Sequence, residues 1–157
     1  MSFANEMSAL FRRDIGKVAQ QVRAFPNDDL LWKLLPGVTN SAGNLALHLE
    51  GNLREYIGRR MGGVAYTRER PLEFSTSGLT AAEVASRLEA VQQLVPPIVA
   101  GRSDAALDEI FPEKIGGTEV TARQFLIHTH SHLNYHLGQI DYLRRILTAG
   151  QAIAYKL

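Results

Sequence analysis

The chain has 157 residues, 45% hydrophobic and 21% charged, and its 17 basic and 16 acidic side chains leave a net charge of +1. That length fits one domain, residues 1–157, with a core large enough to fold without a disulfide or a structural metal. The near-neutral charge excludes the basic footprint of a dedicated nucleic-acid binder, and the lack of cysteine excludes a disulfide scaffold, a thiolate zinc site and a thiol nucleophile.

No stretch reaches the run of about 18 apolar residues that spans a bilayer. Near the N-terminus, Glu6, Arg12, Arg13 and Asp14 interrupt the segment in which an export signal needs its apolar core. The expected location is the cytoplasm, with neither membrane nor nucleic acid as a partner.

The first helix is predicted from Ser2 to about Phe25, with Leu10, Ile15, Val18 and Val22 near helical spacing and Pro26 with Asn27-Asp28 as the stop. A dense apolar cluster follows, Leu30, Leu31, Trp32, Leu34 and Leu35, read as a short helical turn lying either on the core or in an interface. The second helix begins near Thr39 to Ser41, with Asn40 or Ser41 as N-cap, and runs to Met61, where Gly62-Gly63 stops it. A polar loop, YTRERPLEFSTSG, is next. Thr80 and Glu83 form a capping-box pattern that opens the third helix, which is expected to end near Val95 because Pro96-Pro97 opposes continuation. Gly101 to Glu119 reads as loop, with a tight turn at Gly116-Gly117. The fourth helix runs from about Thr121 to Leu147. Period-two alternation is never sustained, so the expected class is all-α: a four-helix bundle with long crossover connections.

All five histidines fall on two helices, His48 on the second and His128, His130, His132 and His136 on the fourth. At 100° per residue, His136 points at the middle of the stripe made by Phe125, Leu133, Ile140, Leu143 and Leu147, and His132 lies about 40° aside, one turn earlier. His128 falls at the stripe's edge. His130 lies roughly 120° away and is expected to face solvent. A pair at i, i+4 presents two imidazoles to one ion, and a tight site adds a third ligand, for which His48 is the natural choice. Beside His48, at successive turns, stand Ser41, Asn44, Asn52 and Glu55, a polar seam suited either to a wet pocket between helices or to an ordinary solvated face. On the residues alone, His132 and His136 are either metal ligands or hydrogen-bonded core histidines. No catalytic residue is assigned. The Leu133, Asn134 and Tyr135 between the paired histidines supply no glutamate base of the metalloprotease kind, and neither a serine elbow nor a phosphate-binding glycine loop occurs.

The element His132-x-x-x-His136-x-Gly138-Gln139-Ile140, with the single upstream histidine in NLALHLEGNLREYIG, resembles the signature of the DinB-like superfamily over most of the chain. The resemblance implies an up-down-down-up four-helix bundle and a divalent ion, zinc or nickel, bound by His48, His132 and His136. It also implies a homodimer. Some members of that superfamily are thiol-dependent S-transferases or isomerases using bacillithiol, mycothiol or glutathione, which makes a small-molecule substrate and a low-molecular-weight thiol the expected partners. The alternatives are a metal-binding or stress-response module without turnover, and a metal-dependent hydrolase. Gln139 either orients a ligand or packs between helices. Tyr135 and Arg144 are expected at the surface.

Overall fold

The computed structural model describes residues 2–155. Its elements are α1 (Phe3–Arg23), α2 (Asp28–Leu31), α3 (Ala42–Leu53) with a π-helical extension (Arg54–Met61), α4 (Arg70–Ser75), α5 (Ala81–Ala100), α6 (Asp104–Asp108) and α7 (Ala122–Thr148). The long elements α1, α3, α5 and α7 form the four-helix bundle. Among the long helices, both α1 and α3 pack mainly against α5 and α7 and little against each other, so these two helices, consecutive in the bundle, sit diagonally across it. Among the described residues, pairing of the strand kind is limited to two isolated bridges, Ile110 with Thr121 and Ile115 with Thr118.

The helices start where side chains can satisfy their orphan N–H groups. Ser2, Ser41 and Ser103 accept from the backbone of Asn5, Asn44 and Ala106. Reciprocal capping boxes open α5 (Thr80 with Glu83) and α7 (Thr121 with Gln124). The core is drawn from one stripe of each long helix: Phe11, Ile15, Val18 and Val22 of α1, Leu49 and Leu53 of α3, Val84, Leu88, Val91, Val95 and Val99 of α5, and Leu126, Leu133 and Ile140 of α7. Each such side chain contributes about 1.5–3 kcal/mol by leaving water. Phe11, rather than Leu10, takes the core position in α1, and Leu10 is half-buried. The cluster after α1 divides: Leu31 is in the core, Trp32 and Leu35 pack against it, and Leu34 is exposed. Trp32 Nε1 donates to the carbonyl of Leu79 at 2.8 Å.

Three expectations need correction. First, α5 does not stop at Val95 but continues through Pro96 and Pro97 to Ala100. Its apolar stripe runs on through Val95 and Val99, both fully buried, and the carbonyl of Pro96 accepts a hydrogen bond from Ser8 Oγ of α1 at 2.8 Å. Packing against α1 thus outweighs the local cost of two prolines. Second, the polar loop after the second helix contains α4, with a proline in its first turn, a position where the missing N–H costs nothing. The loop before α7 similarly contains α6. Third, the second helix does not stay α-helical to Met61. From Arg54 it widens to a π-helix, which brings both Arg59 and Arg60, four and five residues on, to the carboxylate of Glu55. The expected turn at Gly116-Gly117 is present: both glycines have positive φ, and Ile115 and Thr118 exchange backbone hydrogen bonds at 3.0 Å, as a two-residue hairpin turn requires.

Candidate metal centre

His48 projects from the middle of α3, and His132 and His136 project from α7, one turn apart. The helices meet so that all three imidazoles converge. His132 Nε2 lies 3.2 Å from His48 Nε2 and 3.1 Å from His136 Nε2. The rings stand nearly perpendicular to one another, at 78–88°, with centroids 4.5–5.2 Å apart. His48 is buried, and His132 and His136 are half-buried. The three residues form a group whose nitrogens could share one metal ion.

The outer nitrogens fix the state of the inner ones. Glu73 Oε2 lies 2.8 Å from His48 Nδ1, and a carboxylate only accepts, so Nδ1 carries the proton and Nε2 presents a lone pair. Gln139 Oε1 lies 2.6 Å from His136 Nδ1 and does the same for that ring. His132 Nε2 therefore faces two lone pairs and can donate to only one of them. If it donates, one neighbour and its own Nδ1 lone pair remain unmatched. If it does not, three lone pairs converge on one point. In neither case does its buried Nδ1 have a partner. A proton does not resolve the conflict: burial and the neighbouring imidazoles His136 and His48 depress His132 to a pKa of about 4. Burial also lowers His48, against the opposing pull of Glu73, and lowers His136, against that of Gln139. Three neutral imidazoles with converging lone pairs are the donor set of a divalent cation, so the residues present fit a metal ion.

The parts that hold His48 come from the segment that read as loop. Glu73, on α4, is buried and forms a two-pronged ion pair with Arg68, at 2.6 Å and 2.9 Å. The polar seam of α3 anchors α4. Ser41 Oγ donates to Asn44 Oδ1 at 2.6 Å, and Asn44 Nδ2 donates to the carbonyls of Glu73 and Thr76 at 3.2 Å and 2.9 Å. Ser41 and Asn44 are buried, so this half of the seam is neither a wet pocket wall nor a solvated face. Gly51, one turn beyond His48, leaves the room Glu73 needs: a Cβ there would overlap Glu73 Oε1 and stand 2.8 Å from its Cδ. Sequence reasoning missed Glu73, and the available signal was Pro71 at the start of an apolar-flanked segment. Lower in the seam, Asn52 lines a cleft, while Arg59 and Arg60 pull buried Glu55 down to about 2 and keep it paired.

The remaining candidates separate. Gln139 orients His136. His128 is exposed and stands at the rim of the cleft that reaches His132. His130 does not face solvent: its Nε2 lies 2.9 Å from a carboxylate oxygen of fully buried Asp14 on α1. Arg144 is also not at the surface. It is 4% exposed, bonds Gln21 and Asp141, and donates to the carbonyl of Gln151 at 2.8 Å. Tyr135 is exposed as expected.

Two clefts of unlike chemistry reach the histidines. One, of about 340 Å³, meets His48 and His132 and is lined by Asn52, Tyr56, Arg68, Arg70, Lys114 and His128 among others. The other, of about 470 Å³, meets His136 and Gln139 between apolar walls from Leu35, Val38, Leu45, Tyr142 and Ile146. Tyr56 and Phe125 line the first cleft and meet edge-on, and Phe111 stacks on Phe125 with centroids 4.0 Å apart.

A four-helix bundle carrying a three-imidazole cluster between two facing helices, open on two sides, defines a class of helical proteins with a candidate metal centre in the bundle wall. The chain belongs to the DinB superfamily, whose family model matches residues 10–140, a span that contains all three histidines. A comparison with curated proteins gave no match.

Proposed function

We propose that the protein binds one divalent ion, zinc or nickel, through His48, His132 and His136, and uses it as a metal-dependent thiol S-transferase or isomerase acting with a low-molecular-weight thiol. The observation that carries the metal is the orphaned His132 imidazole between two rings whose lone pairs are fixed toward it by Glu73 and Gln139. Bound there, the ion would keep a coordinated thiol as its thiolate, because three neutral ligands leave its charge of +2 undiminished.

The chain's own groups supply holding and selection. Glu73 with Arg68 sets the ring of His48, Gln139 sets that of His136, and burial lowers the pKa of all three imidazoles, which favours their uncharged form. The polar cleft gives a hydrophilic ligand access to His48 and His132, and the apolar cleft gives a greasy electrophile access from the side of His136. Two unlike clefts at one centre favour a two-substrate reaction over a passive metal store.

The test is cobalt-substituted protein titrated with a small thiol. A thiolate-to-metal charge-transfer band should appear, and it should be absent in His132→Ala. A panel of thiols and electrophiles should then contain a pair that turns over only in the presence of metal. An unchanged spectrum at saturating thiol would contradict the thiol reading.

A further inference from the structure

The cleft at His48 and His132 has walls of mostly one sign. Arg68, Arg70 and Lys114 line it, with Glu113 as the single carboxylate among its lining residues. Two of those four charges are already matched: Arg68 pairs with Glu73, and Glu113 pairs with Arg60. The other two are not. Among the described residues no carboxylate pairs with Arg70, whose guanidinium lies over the ring of Phe74, 5.2 Å from its centroid. Lys114 has one distant approach, 3.9 Å, to a carboxylate oxygen of exposed Glu119. Arg70 comes from the start of α4 and Lys114 from the segment leading into the Gly116-Gly117 turn, so two independent elements bring cations to one cleft. Asn52 and His128 add further polar groups to the same wall, whereas no Asp, Glu, Lys or Arg lines the cleft at His136.

We propose that Arg70 and Lys114 form an anion subsite. The ligand whose donor atom reaches His48, His132 and His136 then carries a carboxylate or phosphate group at its far end. This rests on the metal reading above and narrows it, since it selects an acidic thiol over a neutral one. Arg70 and Lys114 are both exposed, so roughly a tenfold preference is the expected scale, weakening as salt screens the pairs.

Cobalt-loaded protein is titrated at low salt with 3-mercaptopropionate, 2-mercaptoethyl phosphate and neutral 2-mercaptoethanol, and affinity is read from the charge-transfer band. The same titrations are made on the Arg70→Ala, Lys114→Ala double variant, and comparing ratios between the two proteins cancels differences in thiol basicity. The expected result is about a tenfold preference for the anionic thiols in the unaltered protein, lost in the double variant and in high salt. Cobalt content and affinity for 2-mercaptoethanol should be the same in both. The tighter of the two acids identifies carboxylate or phosphate as the group recognised. Equal ratios in the two proteins would overturn the subsite while leaving the metal site standing. Failure of cobalt to bind at all would overturn the metal reading and the subsite with it.

Discussion

Glu73 accepts the Nδ1 proton of His48 across 2.8 Å, linking a six-residue helix in a crossover connection to the centre of α3. Replacing the carboxylate by an amide leaves only a neutral, weaker acceptor and breaks the ion pair with Arg68, so the ring and its Nδ1 proton are held less firmly. Replacing a ligand's carboxylate partner typically lowers metal affinity by roughly 10–100-fold. Glu73→Gln should fall in that range for zinc, measured by competition with a chromophoric chelator, while its helical content stays that of the unaltered protein. Unaltered affinity would show that Glu73 does not hold His48.

Gly51→Ala should act on the same contact from behind. The added methyl group overlaps Glu73 Oε1, and Glu73 cannot retreat without leaving Arg68. The expected outcome is a loss of zinc affinity resembling that of Glu73→Gln, with little further loss when the two changes are combined, because both remove one interaction. Additive losses would contradict the shared cause.

The imidazoles also make metal-free stability depend on pH. An unfolded histidine titrates near 6.5, whereas His132 in the folded chain titrates at about 4, and His48 and His136 are also lowered. Between those values the unfolded chain binds more protons than the folded one, so stability rises with pH across that window and is lost as pH falls through it. Asp14 does not share the window. Burial pushes its carboxyl up, but hydrogen bonds from His130, Arg13, Lys17 and Asn134 outweigh that and hold it far below the usual range. Urea unfolding of metal-free protein from neutral pH to about pH 4 should show this decline, and His132→Ala should flatten it. An identical slope in the variant would contradict the assignment.

Asp14 itself should matter for stability. It is fully buried on α1 and accepts from Arg13, Lys17, His130 and Asn134, joining α1 to α7. Asp14→Ala leaves those donors unmatched and should cost about 3 kcal/mol, as for other broken buried ion pairs. Chemical denaturation measures it directly, and a loss under roughly 1 kcal/mol, the range of an exposed pair, would contradict the buried network.

Much of this was legible in the sequence, and the failures have physical causes. The four long helices follow from apolar spacing and capping residues, and the convergence of His132 with His136 follows from their one-turn separation. The stop expected at Pro96-Pro97 was wrong because a local penalty was weighed without the buried Val95 and Val99 that α5 sets against α1. α4 was missed because six residues carry too little periodicity, and with it went Glu73, whose role exists only once a crossover folds back on α3. His130 was misplaced because a helical wheel shows one helix, and the wheel has no means of showing that α1 buries an aspartate opposite it. Arg144 was misplaced for the same reason, its partners being Gln21 and the chain after α7.

The central claim is one divalent ion per chain at His48, His132 and His136, and the most direct test is elemental analysis of protein purified without chelator, after removal of any affinity tag. Stoichiometric zinc or nickel is expected in the unaltered protein, lost in His48→Ala, His132→Ala and His136→Ala, and kept in His128→Ala, whose side chain is exposed at the cleft rim. Protein that contains no metal and takes up neither added zinc nor added nickel would contradict the account.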